Sequence, residues 1–255
     1  MAHLDRDGVR LYYEVHGPAE GDHPPLLLTH GYSATAEMWS PNVAALATLR
    51  QVITWDIRGH GRSDAPDDPA LYSEALSVQD MAALLDSVGA AKAIIGGLSL
   101  GGYLSLAFYL RHPERTAALV LCDTGPGYRR DEPRAEWNAM ATRWADEFDR
   151  SGLDALGRSA EVRASHHHSA VGLALAARGI LTQHDSRVFD VLPSIDVPTL
   201  VVVGADDKAF LAAADVMAAK IPGAVKVVLD GAGHAANIDQ PEAFDRAVLD
   251  FLAGL

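Results

Sequence analysis

The stretch Ala91-Lys92-Ala93-Ile94-Ile95-Gly96-Gly97-Leu98-Ser99-Leu100-Gly101-Gly102-Tyr103 decides how the rest of the chain is read. Ala93-Ile94-Ile95 is a short apolar run of buried-strand type, and Tyr103, Leu104, Leu106, Ala107 and Leu110 give the apolar stripe of a following helix. Between them, Gly97-Leu98-Ser99-Leu100-Gly101 matches G-x-S-x-G, which sets a serine on a sharp strand-to-helix turn. Such a turn strains the serine backbone and brings strand and helix close together. Gly97 and Gly101 leave the room it needs, and Gly102 lets the helix start near the sheet. The Ser99 hydroxyl then stands clear of the backbone as a candidate nucleophile. The next amide, that of Leu100, points at the same space from a helix N-terminus, where negative charge is favoured.

Outward from this turn, the chain has the make-up of a globular protein with material for a core. Its 255 residues are 49% hydrophobic and 22% charged. Thirty-four acidic against 21 basic residues leave a net charge of −13, which speaks against nucleic acid and anionic membrane as partners. A single cysteine, Cys122, forms no internal disulfide. The polar start Met1-Ala2-His3-Leu4-Asp5-Arg6-Asp7 lacks a signal peptide's apolar region, so a cytoplasmic location is expected. A monomer and a homodimer fit equally well.

Strand and helix signals alternate along most of the chain. A hairpin is expected at Asp7-Gly8 with a strand to His16, then a buried strand Leu26-Leu27-Leu28-Thr29 ending at His30-Gly31-Tyr32. A helix over 41–49, a strand over 51–55 and a helix over 77–88 precede the elbow. Beyond it come a strand over 116–122, a strand over 198–204, a helix over 210–220, a strand over 225–229 and a last helix over 241–252. This rhythm predicts a parallel sheet with right-handed crossovers. It breaks at Gly125-Pro126-Gly127. Residues 128–192 show helical stretches only, the clearest at 132–150 and 169–181. They are expected to form a helical cap above the strand ends, where open α/β sheets bind ligands. The core is then 1–127 with 193–255, in a single domain.

Four motifs fall in order at successive strand ends: His30-Gly31, Arg58-Gly59-His60-Gly61-Arg62-Ser63, the Ser99 elbow and Gly233-His234. With them the chain resembles the α/β-hydrolases of the capped serine esterase kind, close to carboxylesterases and 3-oxoadipate enol-lactonases. The resemblance covers nearly the whole length and is weakest in the cap. It implies a mostly parallel eight-stranded sheet flanked by helices, with the cap inserted between strands 6 and 7. It also implies a triad in the order nucleophile, acid, histidine.

Serine at neutral pH needs a base, and the resemblance places it at His234, in the glycine-flanked loop after the last strand. The acid that orients it falls at Asp207 in Gly204-Ala205-Asp206-Asp207. Asp206 is one step away, and Asp123, whose plainer role is to form a turn, is a third candidate. The backbone N–H groups of Tyr32 and Leu100 are the expected oxyanion hole. His30 and the Arg58–Ser63 loop are expected to hydrogen-bond within their loops. His166-His167-His168 reads as a solvated cap turn, because consecutive side chains on a helix fan apart and do not converge on a metal. With no phosphate loop, dinucleotide motif or CxxC pair, no cofactor and no metal are expected.

The chemistry implied is hydrolysis of small or medium acyl esters through an acyl-enzyme. A serine elbow sets the chain apart from the epoxide hydrolases and haloalkane dehalogenases of this fold, which use aspartate. Thioesterases and cofactor-free perhydrolases share the scaffold. The alternative substrates are an enol-lactone or the carbon–carbon bonds cleaved in aromatic degradation; a non-turnover receptor of the same fold is the reading from another class. Trp137, Met140, Trp144, Phe148, Leu153 and Leu156 are expected to pack on the sheet and line an apolar acyl pocket. A dicarboxylate substrate would call on cap arginines: Arg129, Arg130, Arg134, Arg143, Arg150, Arg158, Arg163 or Arg178.

Overall fold

A central sheet of eight strands carries the fold of the computed structural model, which describes residues 2–18, 23–48 and 50–255. Strands β1 (Ala2–Arg6) and β2 (Val9–His16) make the expected hairpin. Its Asp7 and Gly8 have φ of 54° and 84°, as a two-residue primed turn requires. The others are β3 (Leu26–Thr29), β4 (Val52–Trp55), β5 (Ala93–Leu98), β6 (Thr116–Cys122), β7 (Thr199–Gly204) and β8 (Val225–Leu229). They lie in the order β1-β2-β4-β3-β5-β6-β7-β8. The hairpin is antiparallel to its neighbour, and all pairs from β4 to β8 are parallel.

Strands β3, β4, β5 and β7 are buried at every residue, which is why they read as unbroken apolar runs. Successive side chains enter two separate cores. Leu27, Ile53, Ile95, Leu121 and Val201 face one, and Leu26, Val52, Ile94, Val120 and Val202 the other. Helices α1 (Ser40–Leu46), α2 (Glu74–Ser87) and α3 (Leu100–Arg111) lie before β6 in the chain. Between β6 and β7 come α4 (Asp131–Ser151), α5 (Ala160–Arg163), α6 (Ala170–Ala176) and α7 (Arg187–Asp190), and after β7 come α8 (Leu211–Lys220), α9 (Ala236–Asp239) and α10 (Pro241–Leu252). Helices α2, α3 and α8 cover the first core, α1 and α10 the second.

Three boundaries differ from the sequence expectation. Helix α2 starts at Glu74, because Ser73 caps it by accepting the Leu76 N–H; Ser77 is buried one turn further on. The stretch 169–181 is α6 followed by a π-helical turn, Ala177–Leu181, that seats Gly179 against the backbone of Tyr72. Helix α1 ends at Leu46; the expected end at residue 49 lies outside the described residues. Among the described residues no helix is long and apolar enough to cross a membrane.

Candidate active site

The loops after β3, β5, β7 and β8 all leave the same edge of the sheet, the carboxyl ends of its parallel strands. At the centre, between β5 and α3, Ser99 has φ 54° and ψ −113°, a backbone conformation costing on the order of 1–3 kcal/mol for a residue with a side chain. Neighbours hold it there. The Ser99 N–H donates to the Cys122 carbonyl at 3.0 Å, and the Thr124 hydroxyl donates to the Ser99 carbonyl at 2.6 Å. The glycines are required by contact: a Cβ on Gly101 would stand 2.1 Å from the Thr29 carbonyl oxygen, and one on Gly97 2.5 Å from the Gly101 carbonyl carbon. Backbone cannot yield as a side chain can. Gly101→Ala is therefore expected to cost about 3 kcal/mol or more, lowering Tm by roughly 6–12 °C. Gly157→Ala, which meets open space, should stay within about 0.5 kcal/mol of wild type in the same thermal melts.

Asp207, after β7, is 7% exposed, and its Oδ2 lies 2.7 Å from Nδ1 of His234, in the loop after β8. With Nδ1–H donating to that carboxylate, the neutral ring turns Nε2 outward as an acceptor. Burial works to lower the His234 pKa. The hydrogen bond that His234 donates to Asp207, with the charges of Asp207, Asp123 and Glu161, outweighs it and holds the pKa above the ordinary 6.5. Phe210 stacks on the ring at 4.9 Å between centroids. Asp206 is exposed.

Asp123 does something else. Its carboxylate accepts the Gly204 N–H at 2.8 Å, the Ala236 N–H at 3.2 Å and the Cys122 thiol at 3.1 Å, so it ties the end of β6 to the end of β7 and to α9. Burial pushes its pKa up to about 7, against the opposing pull of the Gly204 amide and the thiol. Among the described residues Asp123 makes no hydrogen bond to an imidazole.

Among the described residues neither the Tyr32 nor the Leu100 amide donates to a protein acceptor. Leu100 opens α3, where N–H groups have no intrahelical partner. The loop carrying Tyr32 is set by His30, fully buried, which donates from Nδ1 to the Gly31 carbonyl at 2.7 Å and accepts the Ile57 N–H on Nε2 at 2.9 Å. Burial pushes its pKa down to about 4, so it stays neutral and fixed. Arg58 is likewise structural, in a buried two-bond pair with Asp80 at 2.8 and 2.7 Å.

His167 corrects the solvated-turn expectation. His166 and His168 are exposed, but the chain there is irregular rather than helical, and His167 is wedged between two core loops. It accepts the Gly61 N–H at 3.2 Å and faces the Ser33 carbonyl at 3.0 Å. One side chain thus ties the segment between α5 and α6 to the core.

Two cavities meet at Ser99. One, of about 370 Å³, runs between Leu100, Tyr103, Tyr128, Phe189 and Val216. The other, of about 510 Å³, is lined by Tyr32, Trp144, Phe148, Glu161 and His234. Ser99, Trp137, Leu181, Ala209 and Phe210 belong to both, so the two are limbs of one cleft. Of the apolar residues expected to line it, Trp137, Met140, Trp144 and Phe148 do. Leu153 and Leu156 pack instead with Phe148 and Leu173, in a small core between α4 and α6. None of the candidate arginines lines either limb; Arg178 pairs with Asp146 and Asp149, Arg129 with Asp190, and Arg134 and Arg150 with acids on α4. Glu161 is a wall residue with no signal in the sequence, where it is one acid in a polar segment.

Comparison with known proteins agrees with this architecture. Residues 26–247 match the model of the alpha/beta hydrolase family. A 3-oxoadipate enol-lactonase from Acinetobacter baylyi is 30% identical, over 98% of this chain and 96% of its own. The crystal structure of an enol-lactonase from Burkholderia xenovorans LB400 superposes with a TM-score of 0.79 at 32% identity, covering 99% of this chain and 100% of that one. A thermophilic esterase from Thermogutta terrifontis, solved with malate bound, superposes with a TM-score of 0.81 at 28% identity, covering 100% and 99%. Sheet order, serine elbow and family match agree over nearly the whole length, and the chain belongs to the alpha/beta hydrolase family.

Proposed function

We propose that the protein is a serine hydrolase that cleaves carboxylic esters of small or medium acyl chain through an acyl-enzyme, with Ser99 as nucleophile, His234 as base and Asp207 as its orienting acid. The observation that carries this is one largely apolar cleft lined by a strained Ser99, by the carboxylate-bound His234 and by Tyr32 and Leu100, whose amides have no acceptor among the described residues. In this mechanism the Ser99 proton passes to His234 Nε2 as Oγ attacks the ester carbonyl. The oxyanion falls between the Tyr32 and Leu100 N–H groups. Collapse expels the alcohol, which takes its proton from His234; water, activated by the same ring, then frees the acid.

The two limbs divide the substrate. His234 must reach the leaving oxygen, so the alcohol lies in the limb that His234 lines and the acyl chain in the other. Among the described residues the acyl limb carries no arginine, lysine, histidine or carboxylate, which suits an uncharged acyl chain. The enol-lactonases it resembles point to a cyclic ester as the second reading. A lactone bearing a free carboxylate would find no arginine or lysine among the described residues of either wall, so within that reading neutral lactones are favoured.

Turnover of p-nitrophenyl esters from acetate to dodecanoate tests the proposal. Activity is expected to peak at short or medium chains and to fall at dodecanoate. Inactivity across the whole series would overturn it.

A further inference from the structure

Glu161 is a charged residue that the acyl-transfer chemistry leaves unused. It sits on α5 in the wall of the limb assigned to the alcohol and is only 7% exposed. Its segment is fastened to the core. The Ser165 hydroxyl donates to the Glu161 carbonyl at 2.7 Å and accepts the Thr35 N–H at 2.9 Å. One carboxylate oxygen, Oε1, accepts the Ser159 hydroxyl at 2.5 Å. The other, Oε2, is buried and has no hydrogen-bond donor among the described residues. A buried carboxylate oxygen without a donor is costly to maintain, and a partner that supplies one gains accordingly.

The rest of that limb says what the partner is. Among the described residues no arginine or lysine lines it, and Glu147, the other acid on its wall, is already engaged by Arg150 and Ser151. Aromatic rings make up much of the wall: Trp144 stacks on Tyr32 at 6.0 Å between centroids, Trp137 meets Trp144 edge to face at 6.4 Å, and Phe148 borders Tyr32. A carboxylate that lacks a donor, set among ring faces, matches an organic ammonium. Its N–H meets the charge and its alkyl groups lie on the rings. The terminal torsion of a glutamate is broad, so the carboxylate can turn as one plane to present an oxygen to the lumen, and the Ser159 hydroxyl, itself free to rotate, can follow it.

Resting on the hydrolase reading above, we propose that Glu161 is a recognition site for a protonated amine on the alcohol portion of the substrate, so that the preferred esters are those of amino alcohols. The side is specific, because the acyl limb has no such group among the described residues.

The test compares kcat/KM at neutral pH for 2-(dimethylamino)ethyl butanoate and its uncharged carbon isostere, 3-methylbutyl butanoate, in wild type and Glu161→Gln. Wild type is expected to favour the amino ester by about tenfold or more. In Glu161→Gln this preference should disappear, while the neutral ester loses no kcat/KM and so reports an intact fold; its acid limb moves to lower pH, because one of the charges that raise the His234 pKa is gone. With the amine moved to the acid, methyl 4-(dimethylamino)butanoate should gain nothing over methyl 5-methylhexanoate. A preference that is absent in wild type, or that survives in Glu161→Gln, overturns the proposal; so does a preference on the acyl side. Equal slowing of both butanoates in the variant also overturns it, because the loss would then lie in the chemistry the two esters share and not at the amine. Should no ester be hydrolysed, the hydrolase reading fails by itself. Calorimetric titration of Ser99→Ala with N,N-dimethylbutylammonium then decides the amine site alone: binding lost on adding Glu161→Gln supports it, and no binding ends it.

Discussion

Ser99→Ala is expected to lower kcat for p-nitrophenyl butanoate by about a millionfold, and adding His234→Ala is expected to lower it hardly further. The reason lies in how the parts depend on each other. A serine hydroxyl is a weak nucleophile at neutral pH, and a base has nothing to activate once the hydroxyl is gone. The two removals therefore abolish one shared process, and their costs do not add. What survives is the rate that the Tyr32 and Leu100 amides and the cleft confer on attack by water, about a thousand to ten thousand times the uncatalysed rate. The alanine keeps the same backbone demand at φ 54°, so Tm should stay close to wild type and show that the loss is chemical. Single-turnover assays of wild type, both single variants and the double variant give the comparison. If Ser99→Ala retains activity within about tenfold of wild type, the nucleophile is some other group and the acyl-enzyme mechanism fails.

Much of this architecture was legible because it rests on local demands. Strands β3, β4, β5 and β7 are buried on both faces and so read as apolar runs. The elbow showed itself through glycines whose absent side chains leave room for Thr29, Gly101 and Thr124. Asp207 and His234 stood out by their place at strand ends, although sequence alone could not separate Asp207 from Asp206 or Asp123. The separation is tertiary: only the fold sets Asp207 against His234, gives the Asp123 oxygens to the Gly204 and Ala236 amides, and leaves Asp206 exposed.

The segment between β6 and β7 was harder to read for the same reason. His167 reaches residues more than a hundred positions away, at Ser33 and Gly61, and nothing in His166-His167-His168 marks the middle ring as the one that turns inward. Leu153 and Leu156 are apolar at helical spacing, as expected of core residues, yet their core lies between α4 and α6. Glu161 is the sharpest case. Its composition class is that of a solvated surface, and only the closure of α5 over the cleft makes it a buried charge with an unmet oxygen.

Asp207→Asn is expected to lower kcat by about ten-thousandfold and to move the acid limb of kcat/KM to lower pH. The first effect follows from the 2.7 Å contact. The carboxylate accepts only, so it fixes the proton on Nδ1 and leaves Nε2 free to take the Ser99 proton. An amide in its place can offer N–H to Nδ1, which puts the ring proton on Nε2 and removes the base. The second effect follows from the balance of forces on His234. Burial lowers its pKa, and the Asp207 hydrogen bond and charge are the largest of the opposing contributions that keep it above 6.5. The reacting form is the neutral ring, so wild-type kcat/KM should fall as pH falls through a pKa above 6.5. Without the Asp207 charge, burial gains weight and the fall comes at lower pH. Asp206→Asn, a change at an exposed side chain, should leave both the rate and the limb where they are. A larger loss in Asp206→Asn than in Asp207→Asn would transfer the role to the neighbouring residue. A loss of rate in Asp207→Asn with the limb unmoved would mean that the group titrating in the free enzyme is not His234.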